Sequence, residues 1–171
     1  MKNIVIICLL SLVALNSVAQ ICPEGIKQTK PDTQYLITGD NDDLVIDTQT
    51  GLMWIRCSLG QMWDGNSCTG TATTYNWQQA LNAADTHSFA GFSDWRVPNL
   101  KELESLVEPA CYSPAINQSI FPNTNSTFYW SSSPTAINTA NAWNVIFRFG
   151  NNYYSDKNYN AVSVRLVRIG Q

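Results

Sequence analysis

Asp94, Glu102, Glu104 and Glu108 fall within fifteen residues. Paired carboxylates facing one cleft are what glycoside hydrolysis requires. Glu104 and Glu108 stand i, i+4 on an expected helix, where like charges repel mildly. An exposed helix face is the simpler reading, and none of the four is assigned a catalytic role. His87 is the chain's one histidine. A single imidazole excludes His-rich metal centres and the H-E-x-x-H zinc site. A serine triad built on it lacks a G-x-S-x-G elbow. His87 lies in a helix-to-loop segment and reads as a surface residue. There is no P-loop and no G-x-G-x-x-G fingerprint. Asp40, Asp42 and Asp43 lack calcium-loop spacing and read as a solvated turn. The chain is therefore expected to be no enzyme, with no metal and no cofactor.

The five cysteines point to redox chemistry of a structural kind. Lys2, the apolar run Ile4 to Leu15 and the small residues Ser17-Val18-Ala19 have the order of a secretory signal peptide. Residues 1–19 are expected to leave as that leader, taking Cys8 with them. The four remaining cysteines allow three connectivities. Cys57 and Cys68 flank a Gly-rich segment and are expected to close it, which leaves Cys22 for Cys111. A zinc site lacks C-x-x-C spacing and a second histidine. The protein is expected beyond the inner membrane: periplasmic, at the cell surface or secreted. Ten Lys and Arg, one of them Lys2 of the leader, stand against thirteen Asp and Glu. With no basic run, neither nucleic acid nor an anionic membrane is an expected partner.

The segment whose composition suits recognition lies near the C-terminus. Ala142 to Phe149 alternates: Trp143, Val145, Phe147 and Phe149 are expected to face the core. Asn144, Ile146 and Arg148 are expected to face outward. A polar, aromatic loop is expected from Gly150 to Asn160. The candidate ligand-binding residues are the outward Asn144, Ile146 and Arg148 together with Asn151, Asn152, Tyr153, Tyr154, Asp156, Asn158, Tyr159 and Asn160 of this loop. Tyrosine gives large contact area at low entropic cost, and Asn gives adaptable hydrogen bonds, as in antibody paratopes.

Several elements must position that segment. Residues 20–43 read as an irregular lead-in, and 44–171 as the folded domain. Leu44 to Asp47 and Leu52 to Arg56 form an expected hairpin with Gly51 in its turn. The Cys57–Thr74 loop follows, anchored by Trp63. Asn76 is placed to cap a helix with Trp77, Ala80, Leu81 and Ala84 on one face. Asn99 and Glu102 form a capping box for a second helix, Leu100 to Val107, which Pro109 ends. Strand-like runs follow at Phe128–Ser132, Ala142–Phe149 and Val162–Ile169. Trp95 is expected in the core. Asp94 and Arg96 are expected to pair or to cap the following helix, and Arg165 and Arg168 to meet buried acids. The order is that of an α+β fold with a mixed or antiparallel sheet and two flanking helices.

Seven stretches recur together in one known family. They are Thr50-Gly51-Leu52-Met53-Trp54, Trp77-Gln78-Gln79-Ala80-Leu81, and Asp94-Trp95-Arg96-Val97-Pro98-Asn99-Leu100-Lys101-Glu102-Leu103. Phe121-Pro122, Tyr129-Trp130-Ser131-Ser132-Ser133, Ala142-Trp143-Asn144-Val145 and Val164-Arg165-Leu166-Val167-Arg168 complete the set. The chain resembles the Lcl C-terminal domain family, named for the C-terminal domain of a bacterial collagen-like adhesin. The resemblance implies a C-type-lectin-like fold in which the N- and C-terminal strands pair. It also implies binding of host polysaccharides, including sulfated ones, and a homotrimer. This chain has no Gly-X-Y region to drive trimers. Its acidity is unlike a sulfated-glycan site, which wants clustered Arg and Lys. The E-P-N and W-N-D signatures of calcium-dependent sugar binding are missing, and Trp143-Asn144-Val145 only echoes the second.

From Asn144 to Ser163 every residue except Lys157 has a codon ending in C. An Asn codon with randomised adenines yields that set. The segment resembles the variable regions that diversity-generating retroelements write into C-type-lectin-like domains; an ordinary Asn/Tyr-rich surface loop is the plain alternative. The favoured function is an exported, adhesin-like or receptor-like domain binding a surface protein or a glycan. A structural envelope protein and a carbohydrate-active enzyme are the alternatives.

Overall fold

A computed structural model describes residues 19–170. The expected leader falls almost wholly outside the described residues. Three antiparallel sheets and two helices make an α+β fold. The first sheet joins β1 (Tyr35–Thr38), β2 (Leu44–Asp47), β3 (Leu52–Ile55) and, from the far end of the chain, β9 (Val167–Ile169), in that order. A ribbon of β4 (Met62–Trp63) and β5 (Cys68–Thr69) forms the second. The third runs β6 (Phe128–Pro134), β7 (Asn141–Ile146), β8 (Asn151–Asp156).

The β2–β3 hairpin turns at Gly51, whose φ of +69° is the left-handed conformation that glycine adopts without steric cost. Side-chain alternation then divides the core. Val45, Trp54 and Val167 sit in cross-strand register and meet Leu103, Leu106, Tyr129 and Val145 on one side. Leu44, Met53 and Leu166 join Ala80, Ala84, Trp95 and Trp130 on the other. Both faces of β2 and β3 are covered, so these strands read as continuous apolar runs. Truncating a fully buried leucine such as Leu103 to alanine is expected to cost about 2–5 kcal/mol.

Helix α1 (Trp77–Asp85) starts at a capping box of Asn76 and Gln79, and α2 (Leu100–Glu104) at one of Asn99 and Glu102. The second helix is shorter than expected. After Glu104 the chain tightens into i→i+3 turns, Leu106 N–H to Leu103 and Val107 N–H to Glu104, before Glu108 N–H leaves for Ala115. Cys22–Cys111 and Cys57–Cys68 are bonded as expected. By chain entropy, a closure spanning 89 residues stabilises by roughly 4 kcal/mol.

The lead-in is more ordered than its composition implied. Tyr35–Thr38 pairs with β2 at the edge of the first sheet. The segment before it is tied to the domain by Glu108, which is fully buried and accepts from the N–H groups of Thr29, Lys30 and Ala110. The last expected strand is regular only over β9; Val162 and Ser163 make isolated bridges, and Ser163 lies beside Tyr129 in a parallel bridge. The terminal strands share a sheet, but β9 pairs with β3 and not with β1.

Candidate functional site

Residues Asn151–Asp156 form a strand where a loop was expected, paired residue for residue with β7. A strand that is exposed on its side chains gives no apolar alternation to reveal it. β8 is the outer strand of its sheet, and Asn151, Asn152, Tyr153, Tyr154 and Asp156 are all exposed. The turn that follows is closed by Tyr159 N–H on the Asp156 carbonyl and by Asn158 N–H on the Asp156 carboxylate. It leaves Asn158, Tyr159 and Asn160 exposed as well. At the other end Arg148 is exposed, with its guanidinium 5.2 Å from the Phe149 ring.

The aromatic surface is ample. Tyr153, Tyr154, Tyr159 and Phe149 retain 46%, 59%, 47% and 53% of their accessibility. Strand geometry, however, sends neighbours to opposite faces. Tyr153 packs edge-on against Phe128 at 5.9 Å, and Tyr154 edge-on against Trp143 at 5.7 Å. Each tyrosine is thus braced by an aromatic of its own face. The surface wraps around the β8 edge and does not lie flat.

Four expectations for the 142–149 run are corrected. β7 is the middle strand, so most of both its faces is covered. Asn144, expected outward, is fully buried opposite Trp130 and donates to Ser155 Oγ at 2.9 Å. It is not a ligand contact. Ile146 is half-buried. Trp143 and Phe149, expected in the core, are half-buried and exposed respectively. Val145, Phe147, Val162 and Ser163 are buried too, so the exposed part of the codon-patterned stretch runs from Arg148 to Ala161. In β6 Tyr129, Trp130 and Ser131 are all buried, again because both faces are packed.

The four carboxylates weighed for catalysis do not form an exposed face. Asp94 accepts from Arg168 Nε at 2.7 Å, and this bond holds its pKa below the usual carboxylate range. Arg96 pairs with Glu102, not with Asp94, through two bonds of 2.7 Å. Burial alone would raise Glu102; Arg96 and the Asn99 N–H outweigh it and leave the carboxyl low. Glu104 meets Lys101 at 2.7 Å and accepts from Asn152. Glu108 is the buried clamp on the lead-in. Arg165 is fully buried and meets no acid: it donates to the carbonyls of Ile55 and Arg56 and to Thr124 Oγ1. Desolvation lowers its pKa to about 10. His87 is half-buried beside Phe89, not a free surface residue. No group of three metal-ligating side chains occurs among the described residues.

These features define a disulfide-stapled α+β domain that presents an aromatic edge strand. The model of the Lcl C-terminal domain family matches residues 43–168, and the chain belongs to that adhesin-related family. The match opens one residue before β2, so β1 lies outside it although it completes the first sheet. A search of curated proteins found no match to the chain.

Proposed function

We propose that this is an exported, non-catalytic ligand-binding domain whose recognition surface is the β8 edge and its two flanking turns, residues 148–160. The observation that carries the reading is the exposure of Tyr153, Tyr154 and Tyr159 on one outer strand and turn, none of them needed to fill the core. Large aromatic area of this kind, interleaved with asparagine, is what binding surfaces concentrate. The ligand is a surface protein or a glycan that straddles an edge. The two disulfides and the adhesin-related family fit a protein beyond the inner membrane. The engagement of Asp94, Glu102, Glu104 and Glu108 in structural bonds supports a binding role over carboxylate catalysis.

The same surface is the proposed seat of sequence diversification. Lys157 is the one residue outside the codon pattern. Its ammonium lies 4.3 Å from the Trp77 ring centroid and donates to the Thr139 carbonyl, and its own carbonyl accepts from Trp77 N–H. The exception is thus a residue committed to holding the hairpin against α1.

The test is a screen of the purified protein and of a Tyr153→Ala/Tyr154→Ala/Tyr159→Ala variant against arrayed glycans and bacterial surface proteins. The reading requires a ligand that the parent binds and the variant loses. Equal binding of every ligand by both proteins removes the site. At the gene level, a near-copy of codons 144–163 differing only at adenines, beside a reverse-transcriptase gene, is expected; its absence leaves a fixed binding surface.

A further inference from the structure

A cavity of about 610 Å³ opens away from β8 and shares no residue with that surface. Its size falls in the range of small-molecule sites. One wall is the loop stapled by Cys57–Cys68, with Met62 and Trp63 on its ribbon. The segment after α1 supplies His87 and Phe89, whose rings stack with centroids 6.1 Å apart. Buried Ile55 and Leu166 close it on the core side. Trp63 is fixed in place: its indole N–H donates to the Asn41 carbonyl at 2.6 Å, and the Arg56 guanidinium lies 4.1 Å from its ring centroid. Met62 stays 71% exposed at the rim.

Most polar groups around this cavity are already engaged. The Ser58 hydroxyl pairs with Tyr129, Gln61 bridges Ser58 N–H and the Asn123 carbonyl, and Asp64 accepts from Asn66 and Ser67 N–H. Of its titratable groups, Asp43 and His87 are left. Asp43 Oδ1 is buried without a hydrogen-bond partner, tucked beneath Gly39, where an added Cβ would come within 2.3 Å of it. A donor reaches this carboxylate only through its other oxygen. Arg56, the nearby cation, gives its donors to the carbonyls of Asp42, Ser119 and Ile120. Burial raises the Asp43 pKa; its own amide opposes this, while Asp40 and Asp42 add to it and Arg56 subtracts. Desolvation lowers the His87 pKa, so its imidazole is neutral near pH 7. No lysine or arginine lines the cavity.

One under-compensated carboxylate, one neutral imidazole and otherwise aromatic and aliphatic carbon match a single cationic head on an apolar body. We propose that this cavity binds a small organic ammonium ion, its head against Asp43 and its body between Trp63, Met62 and Phe89. A sugar would present hydroxyls in several directions to walls that offer them few partners.

The test is a titration of the purified protein with 2-phenylethylamine, followed by amide and indole NMR shifts. 2-Phenylethanol serves as the neutral isostere and N-acetylglucosamine as the sugar probe. Saturable shifts centred on Trp63, His87 and Phe89 are expected, with the amine bound at least about tenfold tighter than the alcohol. Asp43→Asn is expected to erase that preference without lowering the melting temperature, because it removes a charge that folding partly desolvates. Met62→Ala, at an exposed rim where folding is not at stake, is expected to weaken both probes about threefold. Absence of saturable shifts, equal binding of amine and alcohol, tighter binding of the sugar, an amine preference that survives Asp43→Asn, or indifference to Met62→Ala each overturns the proposal.

Discussion

Asn152, the second residue of the exposed strand β8, donates its side-chain amide to the Glu104 carboxylate on α2. The surface that carries the tyrosines is therefore tied to the helix beneath it. Glu104 also holds Lys101 one turn earlier, so a single carboxylate joins helix and edge strand. Asn152→Ala is expected to destabilise the protein by about 1 kcal/mol or less, as an exposed bond to a charged group should. Urea unfolding measures this, and ligand binding should change less than on loss of Tyr154.

The tyrosines should behave oppositely. Tyr153→Ala/Tyr154→Ala/Tyr159→Ala removes large exposed area and two edge-on aromatic pairs. Those pairs contribute about 0.5–1.5 kcal/mol each. The variant is expected to fold with a modestly lower melting temperature while binding falls at least about a hundredfold, the effect of losing hot-spot aromatics. Calorimetry and a binding titration on one preparation separate the two effects.

Glu108→Ala should be among the most damaging substitutions. It strands the N–H of buried Ala110, a donor whose loss of partner costs about 1–3 kcal/mol, and frees the less buried N–H groups of Thr29 and Lys30. A loss of about 1–3 kcal/mol in urea unfolding is expected, with new proteolytic cleavage between residues 23 and 31.

Glu102 predicts a pH dependence of definite sign. Its folded pKa lies below its ordinary value, so its contribution is present above that value and lost as pH falls through the folded pKa. At pH 7 Glu102→Gln should melt below the parent, and the gap should close as pH falls below the ordinary glutamate range and through the lowered folded pKa. A gap of constant size would show that the charge is not its source.

Gly150 joins β7 to β8 at a φ of +76°, and an added Cβ would come 2.4 Å from Val107 Cγ1. Gly150→Ala is expected to cost at least about 1 kcal/mol and to broaden the NMR signals of Asn151 and Asn152.

Local chemistry was legible wherever a short segment decides its own structure. The capping boxes at Asn76 and Asn99, the Gly51 turn and the short Cys57–Cys68 staple each depend on residues close in sequence. Strand β8 escapes sequence patterning because alternation marks a strand only when one face is buried and the other wet. β8 is wet on both faces and β7 dry over most of both. Asp94 and Arg168 meet across 74 residues, and Glu108 reaches Thr29 and Lys30 across 79 and 78, beyond any local pattern.

By itself the sequence determined the class of molecule: a cysteine-paired, aromatic-rich α+β chain of this family, with a Tyr/Asn-rich segment before its last strand. Tertiary structure alone decided which side chains of that segment reach solvent. It made β8 an outer strand, buried Asn144 under Trp130, and enclosed Asp43 and His87 in one cavity. Burial is set by what packs against a residue, and here the packing partners come from elements far apart in the chain.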